Sequence, residues 1–316
     1  MTEPLRPLSI GELLDRTFSL YRQNFKLFVG VSILGPVAML SYQMAAAAVG
    51  VGSTHSGVIQ NRGSIIVTVI AGVIFYMAGY SISLAATVRA VAAVYLGKAI
   101  HIGEAYASVK GRVLRVFGVL FAAGAIAGTG GALIFGLGIA VMTGAVAGGK
   151  AAAGPTGAIV GAIVGTVAVI ASILMAIRFA MRYALSLQAC VVEDLTVGAS
   201  LSRSKALTKG AYKRVVTVMA VCSVVVMVLA FLFAALAQVA LYLLAPRGAG
   251  IFANQVAMEI AHLVSGVLGA PLATIAMSLV YYDERVRKEA FDLQFLMESL
   301  DGANPADASS VSPSMG

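Results

Sequence analysis

The chain has 316 residues, of which 59% are hydrophobic and 11% are charged, whereas soluble domains carry about 25% charged residues. A chain of this composition cannot cover itself with polar surface, which excludes an ordinary soluble fold. The formal net charge is +8, but the basic residues lie beside the apolar segments. That placement argues against nucleic acid as a partner and indicates topology signals and contacts with anionic lipid.

The N-terminal segment predicts an interfacial helix at about residues 9–24. Ser9 and Glu12 form a capping box, and the residues that follow mix apolar, aromatic and charged side chains, as a helix in the headgroup region does. Glu3, Glu12 and Asp15 precede any apolar core, so no cleavable signal peptide is predicted.

Six apolar segments follow, each long enough for a helix to cross about 30 Å of hydrocarbon. They cover residues 27–49, 65–88, 116–147, 157–177, 215–244 and 256–280. The sequence therefore predicts an all-α, polytopic membrane bundle of six transmembrane helices, in one domain over residues 1–300. Residues 301–316 have no apolar pattern and are predicted to be a disordered cytoplasmic tail.

Basic residues alternate between the connections. Nineteen of the 22 lie in the N-terminal segment, the second and fourth connections and the tail, while Arg62, Lys150 and Arg247 lie in the other three connections. Because positive charge near a span is retained in the cytoplasm, both termini are predicted to be cytoplasmic, with the protein in a plasma (inner) membrane.

A short motif occurs three times, as Ser9-Ile-Gly-Glu12, His101-Ile-Gly-Glu104 and Thr196-Val-Gly-Ala199. Each copy opens a short amphipathic stretch that leads through basic residues into a span. The repetition predicts three pseudo-repeated units, each consisting of an interfacial helix and a transmembrane hairpin. The third interfacial helix is expected to extend from Thr196 to Arg214.

Seven basic residues near the inner ends of the spans are candidates to bind an anionic lipid headgroup, because a guanidinium fork suits phosphate and positive charges are attracted to an anionic leaflet. They are Arg89, Arg178, Arg182, Arg203, Lys205, Lys209 and Lys213. Snorkelling anchors are the alternative for the arginines in the spans. Topology signalling alone is the alternative for the basic residues of the third interfacial helix.

Two further patterns lie within the spans. Gly157, Gly161 and Gly165 are four residues apart on one face, which predicts close packing of one hairpin, with a thin wall of a conduction path as the alternative. Glu259 and His262 form an intramembrane polar pair in the last span. They are either an interfacial pair or a contact for a proton or substrate.

Catalytic patterns are absent from the sequence. The three histidines are far apart, and no nucleophile elbow, phosphate loop or metal-ligand cluster occurs. No catalytic residue, metal site or cofactor is predicted.

Three stretches carry a family resemblance: the run from Pro7 to Phe25, the run from Arg182 to Ser204, and the run from Tyr281 to Leu293. As a set they resemble a family of bacterial six-helix membrane proteins often labelled as the membrane domain of glycerophosphoryl diester phosphodiesterases. The resemblance implies a membrane domain without the hydrolase, because the members with that label have the activity in a separate soluble domain.

The functional prediction is a non-enzymatic membrane scaffold or accessory subunit that engages anionic lipid, a protein partner or a second copy of the chain. A small transporter or permease-like protein is the alternative, and an enzyme that acts on lipid headgroups ranks third.

Overall fold

The computed structural model describes residues 7–55, 62–244 and 250–289, and every regular element in these ranges is a helix. The all-α prediction is confirmed for these residues; the predicted tail, residues 301–316, lies outside them. The helices are α1 (Ile10–Gln23), α2 (Phe25–Ser32), α3 (Leu34–His55), α4 (Arg62–Tyr95), α5 (Ile102–Ala107), α6 (Val113–Met181), α7 (Ser186–Val192), α8 (Val197–Thr208), α9 (Tyr212–Leu244) and α10 (Ile251–Glu289).

Five helical stretches of the described residues are long and apolar enough to cross a membrane. They are Phe25–Ala46, Val69–Tyr95, Val113–Val192, Tyr212–Leu244 and Ala253–Glu289. The third contains 80 residues, which as one straight helix would measure about 120 Å. The third and fourth predicted segments both lie within this single stretch.

The third stretch bends back on itself near its middle. Ala153 (φ −141°, ψ 25°) and Gly154 (φ 62°, ψ −141°) leave the helical conformation. Gly154 reaches a positive φ without the steric penalty of a side chain. Pro155 follows in the first turn of the next helical segment. Backbone amides in a first turn have no helical acceptor, so proline loses no hydrogen bond there. This break divides α6 into two arms.

The two arms of α6 are antiparallel and touch through glycines. A Cβ built at Gly157 would overlap the backbone carbonyl of Gly149, and one at Gly161 would overlap the carbonyl of Ala145. Gly165 lies in the same way against the other arm. Backbone atoms cannot swing aside as a flexible side chain can, so this face accepts only glycine at the present separation.

The three copies of the sequence motif each start a short helix. Ser9, His101 and Thr196 are the N-caps of α1, α5 and α8, and all three have extended backbones. The carboxylate of Glu12 accepts the Ser9 amide at 2.7 Å, and that of Glu104 accepts the His101 amide at 3.0 Å. The motif therefore marks the same position in each helix, as capping chemistry requires.

The third of these helices is shorter than expected. α8 ends at Thr208, and Gly210 follows with a φ of 82°, a left-handed conformation that ends helices. Lys213 and Arg214 lie in the first turn of α9 instead. The prediction of one basic helix from Thr196 to Arg214 is therefore wrong beyond Thr208.

Two prolines in helices each leave a carbonyl group without its helical donor, and a serine hydroxyl donates a hydrogen bond to that carbonyl instead. Pro36 has no amide to donate to Ser32, and the hydroxyl of Ser83 donates to that carbonyl at 2.9 Å. Pro271 likewise cannot donate to Val267, whose oxygen accepts the hydroxyl of Ser32 at 3.2 Å. A proline frees the carbonyl four residues earlier, so these two bonds join α2, α4 and α10.

α10 is the central helix. Of the residues in its most apolar window 61% are buried, against 17% in the third and fourth candidate spans. It packs against α1, α2, α3, α4 and α9. The arms of α6 and the middle of α9 instead expose large apolar side chains such as Leu133, Ile163 and Phe231, which suits contact with lipid rather than water.

Candidate functional site

A cavity of about 380 Å³ lies where the end of α6 meets α8 and the start of α9. Four of the seven predicted headgroup-binding residues line it: Arg178, Arg182, Lys205 and Lys209. The other lining residues are Met181, Thr208, Gly210, Tyr212 and Val215. Among the described residues, the lining of this basic cavity therefore contains four cations and no carboxylate.

Hydrogen bonds from α8 to the end of α6 fix the walls of the basic cavity. The hydroxyl of Ser204 donates to the carbonyl oxygen of Arg182 at 2.9 Å, and the hydroxyl of Thr208 donates to the same oxygen at 3.4 Å. Ser204 also accepts the Leu185 amide at 3.1 Å. The Ser204 side chain is fully buried, so these bonds are shielded from competing water.

The charges of the basic cavity are uncompensated. Each wall contributes two basic residues spaced by four, which places like charges on one helix face. Within the described ranges, no carboxylate forms an ion pair with any of the four. The guanidinium of Arg178 lies 5.1 Å from the ring of Tyr212, and the Lys205 ammonium lies 5.1 Å from the ring of Tyr183. Such contacts orient a cation without neutralising it.

Arg203 lies outside the basic cavity, and its guanidinium is already occupied. Its Nε and Nη2 donate to two oxygens of Glu193, each at 2.9 Å, and Nη2 also donates to Glu289 at 2.7 Å. The hydrogen bond to Glu289, and the bond and charge of Glu193, raise the pKa of Arg203 above its ordinary value. Arg203 holds α8 against the C-terminal end of α10.

Arg89 and Lys213 also lie apart from the basic cavity. Arg89 borders a small void near Asp194, with which Arg112 and Arg115 form ion pairs of 2.9 and 2.6 Å. Lys213 is exposed on α9. The structure thus brings four of the seven predicted headgroup candidates together and separates the other three.

An ion-pair cluster at the C-terminal end of α10 has no counterpart among the sequence predictions. Asp283 is 3% exposed. Its carboxylate accepts the backbone amide of Leu8 at 2.7 Å and pairs with Arg214 and, at 2.9 Å, with Arg287. Arg287 in turn donates to the carbonyl of Leu8 at 2.6 Å. Arg214 and Arg287, whose charges also indicate topology, therefore hold the N-terminal segment against α9 and α10.

A second cavity, of about 170 Å³, lies between α3, α4 and α10. Glu259 and His262, the predicted intramembrane pair, both line it. Glu259 is 6% exposed and accepts the side-chain amide of Gln255 at 3.0 Å. The amide of Gln43, with its nitrogen turned toward Glu259, donates to both carboxylate oxygens. Glu259 is therefore a buried acid with two neutral donors.

Across the described residues, no group of three or more His, Cys, Asp or Glu side chains is placed to hold a metal ion. Comparisons with protein-family models, curated proteins and solved structures found no match. The fold and the cavities define an all-helical protein with several helices suited to a membrane, and its function is argued from those cavities.

Proposed function

We propose that the chain is a multi-pass inner-membrane protein that crosses the bilayer six times, with both termini in the cytoplasm. The break at Ala153 and Gly154 supports six crossings, because each arm of α6 then spans once. The short helices that start after Ser9, His101 and Thr196 support three pseudo-repeated units. The alternation of basic residues along the sequence supports the orientation.

In this topology the protein is a non-enzymatic scaffold or accessory subunit that binds an anionic lipid at its cytoplasmic face. The basic cavity carries the proposal, because four cations surround a space without any carboxylate. A lipid phosphate there would offset the repulsion between the paired like charges. Met181 and Val215 in the same lining offer an apolar surface to the start of the acyl chains. As a scaffold, the protein would act on a protein partner or a second copy of the chain.

The test is lipid retention by a variant in which Lys205→Gln and Lys209→Gln are combined. Native mass spectrometry would follow the parent and the variant after exchange with phosphatidylglycerol, cardiolipin or zwitterionic phosphatidylethanolamine. Each lysine near an anionic headgroup contributes about 1 kcal/mol, so we expect anionic-lipid affinity to fall by about 30-fold. Phosphatidylethanolamine retention should not change.

The matched control combines Lys110→Gln with Lys213→Gln, because both lysines are exposed and neither lines the basic cavity. The net charge changes equally in the two double variants. If both lose anionic lipid to the same extent, attraction is spread over the whole surface and the basic cavity is not a lipid site.

A small transporter is the second candidate function, and the cavity at Glu259 is the observation that favours it. Ionisable side chains at membrane depth often line transport paths. Uptake of a small cation into proteoliposomes, compared between the parent and Glu259→Gln, separates transport from binding alone.

We retain kinship with the six-helix membrane-domain family as a proposal. The three resembling stretches converge at the inner end of α10, where Leu8 contacts Asp283 and Arg203 contacts Glu193. Tyr281 also donates to Glu193. The contacts that join the helices at this end of α10 are therefore made by residues of the three resembling stretches.

A further inference from the structure

The cavity at Glu259 contains a buried carboxyl group. It lies beside Glu259, His262 and Gly266 in the N-terminal half of α10, whereas Asp283 lies near the C-terminal end of that helix. In the part of the chain that the structure describes, no Lys, Arg or His forms an ion pair with Glu259. The amides of Gln43 and Gln255 orient the carboxylate but are neutral. A cation beside this carboxyl group would stabilise its ionised form.

Aromatic rings form another wall of the same cavity. Tyr76 and Tyr80 are one turn apart on α4, and their rings stack with centroids 5.6 Å apart. Met39, Leu40 and Leu263 add apolar surface to the lining, and His262 adds a polar side chain. Aromatic rings attract cations through the negative potential of their faces, and the attraction is strongest where water is excluded.

Close helix contacts keep this cavity in shape. A Cβ built at Gly35 would lie 3.3 Å from the ring of Tyr80, and one at Gly266 would lie 3.3 Å from the ring of Pro36. Both distances are tight for added side chains, so α3 approaches α4 and α10 through small residues. The carboxylate and the tyrosines are therefore held at fixed positions by the backbones that carry them.

The oxygen ligands and the volume of this cavity argue against a divalent metal ion and against a large ligand. Ca²⁺ and Mg²⁺ take six or more oxygen ligands, whereas the described side chains of this lining supply oxygens from Glu259, Tyr76 and Tyr80 alone. A volume of about 170 Å³ is below the range of about 300–1,000 Å³ typical of pockets for drug-sized ligands. We propose that this cavity binds a small organic ammonium ion, with Glu259 as its counter-charge and Tyr76 and Tyr80 as its aromatic wall.

Equilibrium dialysis of the detergent-purified full chain with radiolabelled tetramethylammonium tests the proposal, at constant ionic strength set with sodium chloride. We expect the parent to bind one ion. Glu259→Gln, which keeps the size of the side chain but removes its charge, should weaken binding by at least about tenfold. Tyr76→Leu should weaken it by about tenfold, and Tyr76→Phe should bind like the parent because the ring remains.

Tyr242→Leu is the matched control, because Tyr242 is 87% exposed on α9 and does not line this cavity. It should bind like the parent. Size-exclusion chromatography would establish that each variant is folded. Absence of tetramethylammonium binding to the parent would overturn the proposal. Equal binding by the parent and Glu259→Gln would also overturn it.

Discussion

The hydroxyl of Ser32 donates a hydrogen bond of 3.2 Å to the carbonyl oxygen of Val267, a residue of another helix. That oxygen has no helical donor because Pro271 stands four residues later. The carbonyl of Ser32 itself is left free by Pro36 and accepts the hydroxyl of Ser83. Each break in one helix is therefore satisfied by a side chain of its neighbour, which locks the relative positions of α2, α4 and α10.

We predict that Ser32→Ala lowers the free energy of unfolding by about 1 kcal/mol, because it leaves the partly buried carbonyl of Val267 without its hydroxyl donor. Unfolding in mixed micelles with increasing sodium dodecyl sulfate would measure the change. Ser41→Ala is the control, since the exposed Ser41 bonds only to Val37 of its own helix. Equal stability of the two variants would contradict this role for Ser32.

Gly161→Leu should separate the arms of α6, because its side chain would meet the backbone of Ala145. Overpacking typically destabilises by about 1–3 kcal/mol, and contact with backbone places this variant toward the upper value. Gly128→Leu tests the specificity, since a Cβ at Gly128 meets nothing within 4 Å. Thermal unfolding in detergent would compare the two variants. An equal loss of stability would show that the larger side chain itself, rather than its overlap with the opposite arm, is responsible.

Asp283→Ala should be strongly destabilising, because it leaves Arg287 without its buried carboxylate partner and leaves Arg214 with only Glu284, at 3.6 Å. Removal of one member of a buried pair costs about 3–5 kcal/mol. Asp194→Asn removes the charge of a carboxylate that is 47% exposed, where an ion pair contributes about 0–1 kcal/mol, and asparagine tolerates the positive φ of this residue. Chemical unfolding of both variants would measure the difference. A loss below about 1 kcal/mol for Asp283→Ala would show that the cluster is dispensable.

The six-span topology predicts the location of reporter domains fused at defined points. Fusions after residues 60, 150 and 248 should report the outside, and fusions after residues 105, 205 and 300 should report the cytoplasm. The expectation follows from the retention of positive charge on the cytoplasmic side. Alkaline phosphatase and green fluorescent protein activities give complementary readings. A cytoplasmic signal after residue 150 would contradict a crossing by each arm of α6.

The positions of the long apolar helices and of three helix starts followed from local information, whereas α7 was not predicted. Hydropathy located the long apolar segments, and capping chemistry located Ser9, His101 and Thr196 as helix starts, because both signals lie within a few residues of the element that they define. The grouping of the basic cavity did not follow in this way. Arg178 and Arg182 share a face by spacing alone, but their apposition to Lys205 depends on the contact between Ser204 and Arg182, which no local pattern reports.

The cluster at the end of α10 left a partial signal in the sequence. Asp283 precedes Arg287 by four residues, and Glu284 precedes Lys288 by four, which is the spacing of helical ion pairs. The burial of Asp283 was not predictable from that spacing. It depends on Leu8 and Arg214, which are 275 and 69 residues away in the chain.

The bond between Leu8 and Asp283 also imposes an order on biogenesis. Its two partners are 275 residues apart, and at about 5–20 residues per second a ribosome needs roughly 15–55 s to make the second after the first. During that time α1 can pack against α9, which precedes α10 in the chain, but the Leu8 amide lacks the Asp283 carboxylate. Formation of this bond therefore has to follow the synthesis of α10. A chain truncated before α10 would lack Asp283, so its N-terminal segment would be more accessible to quality-control proteases.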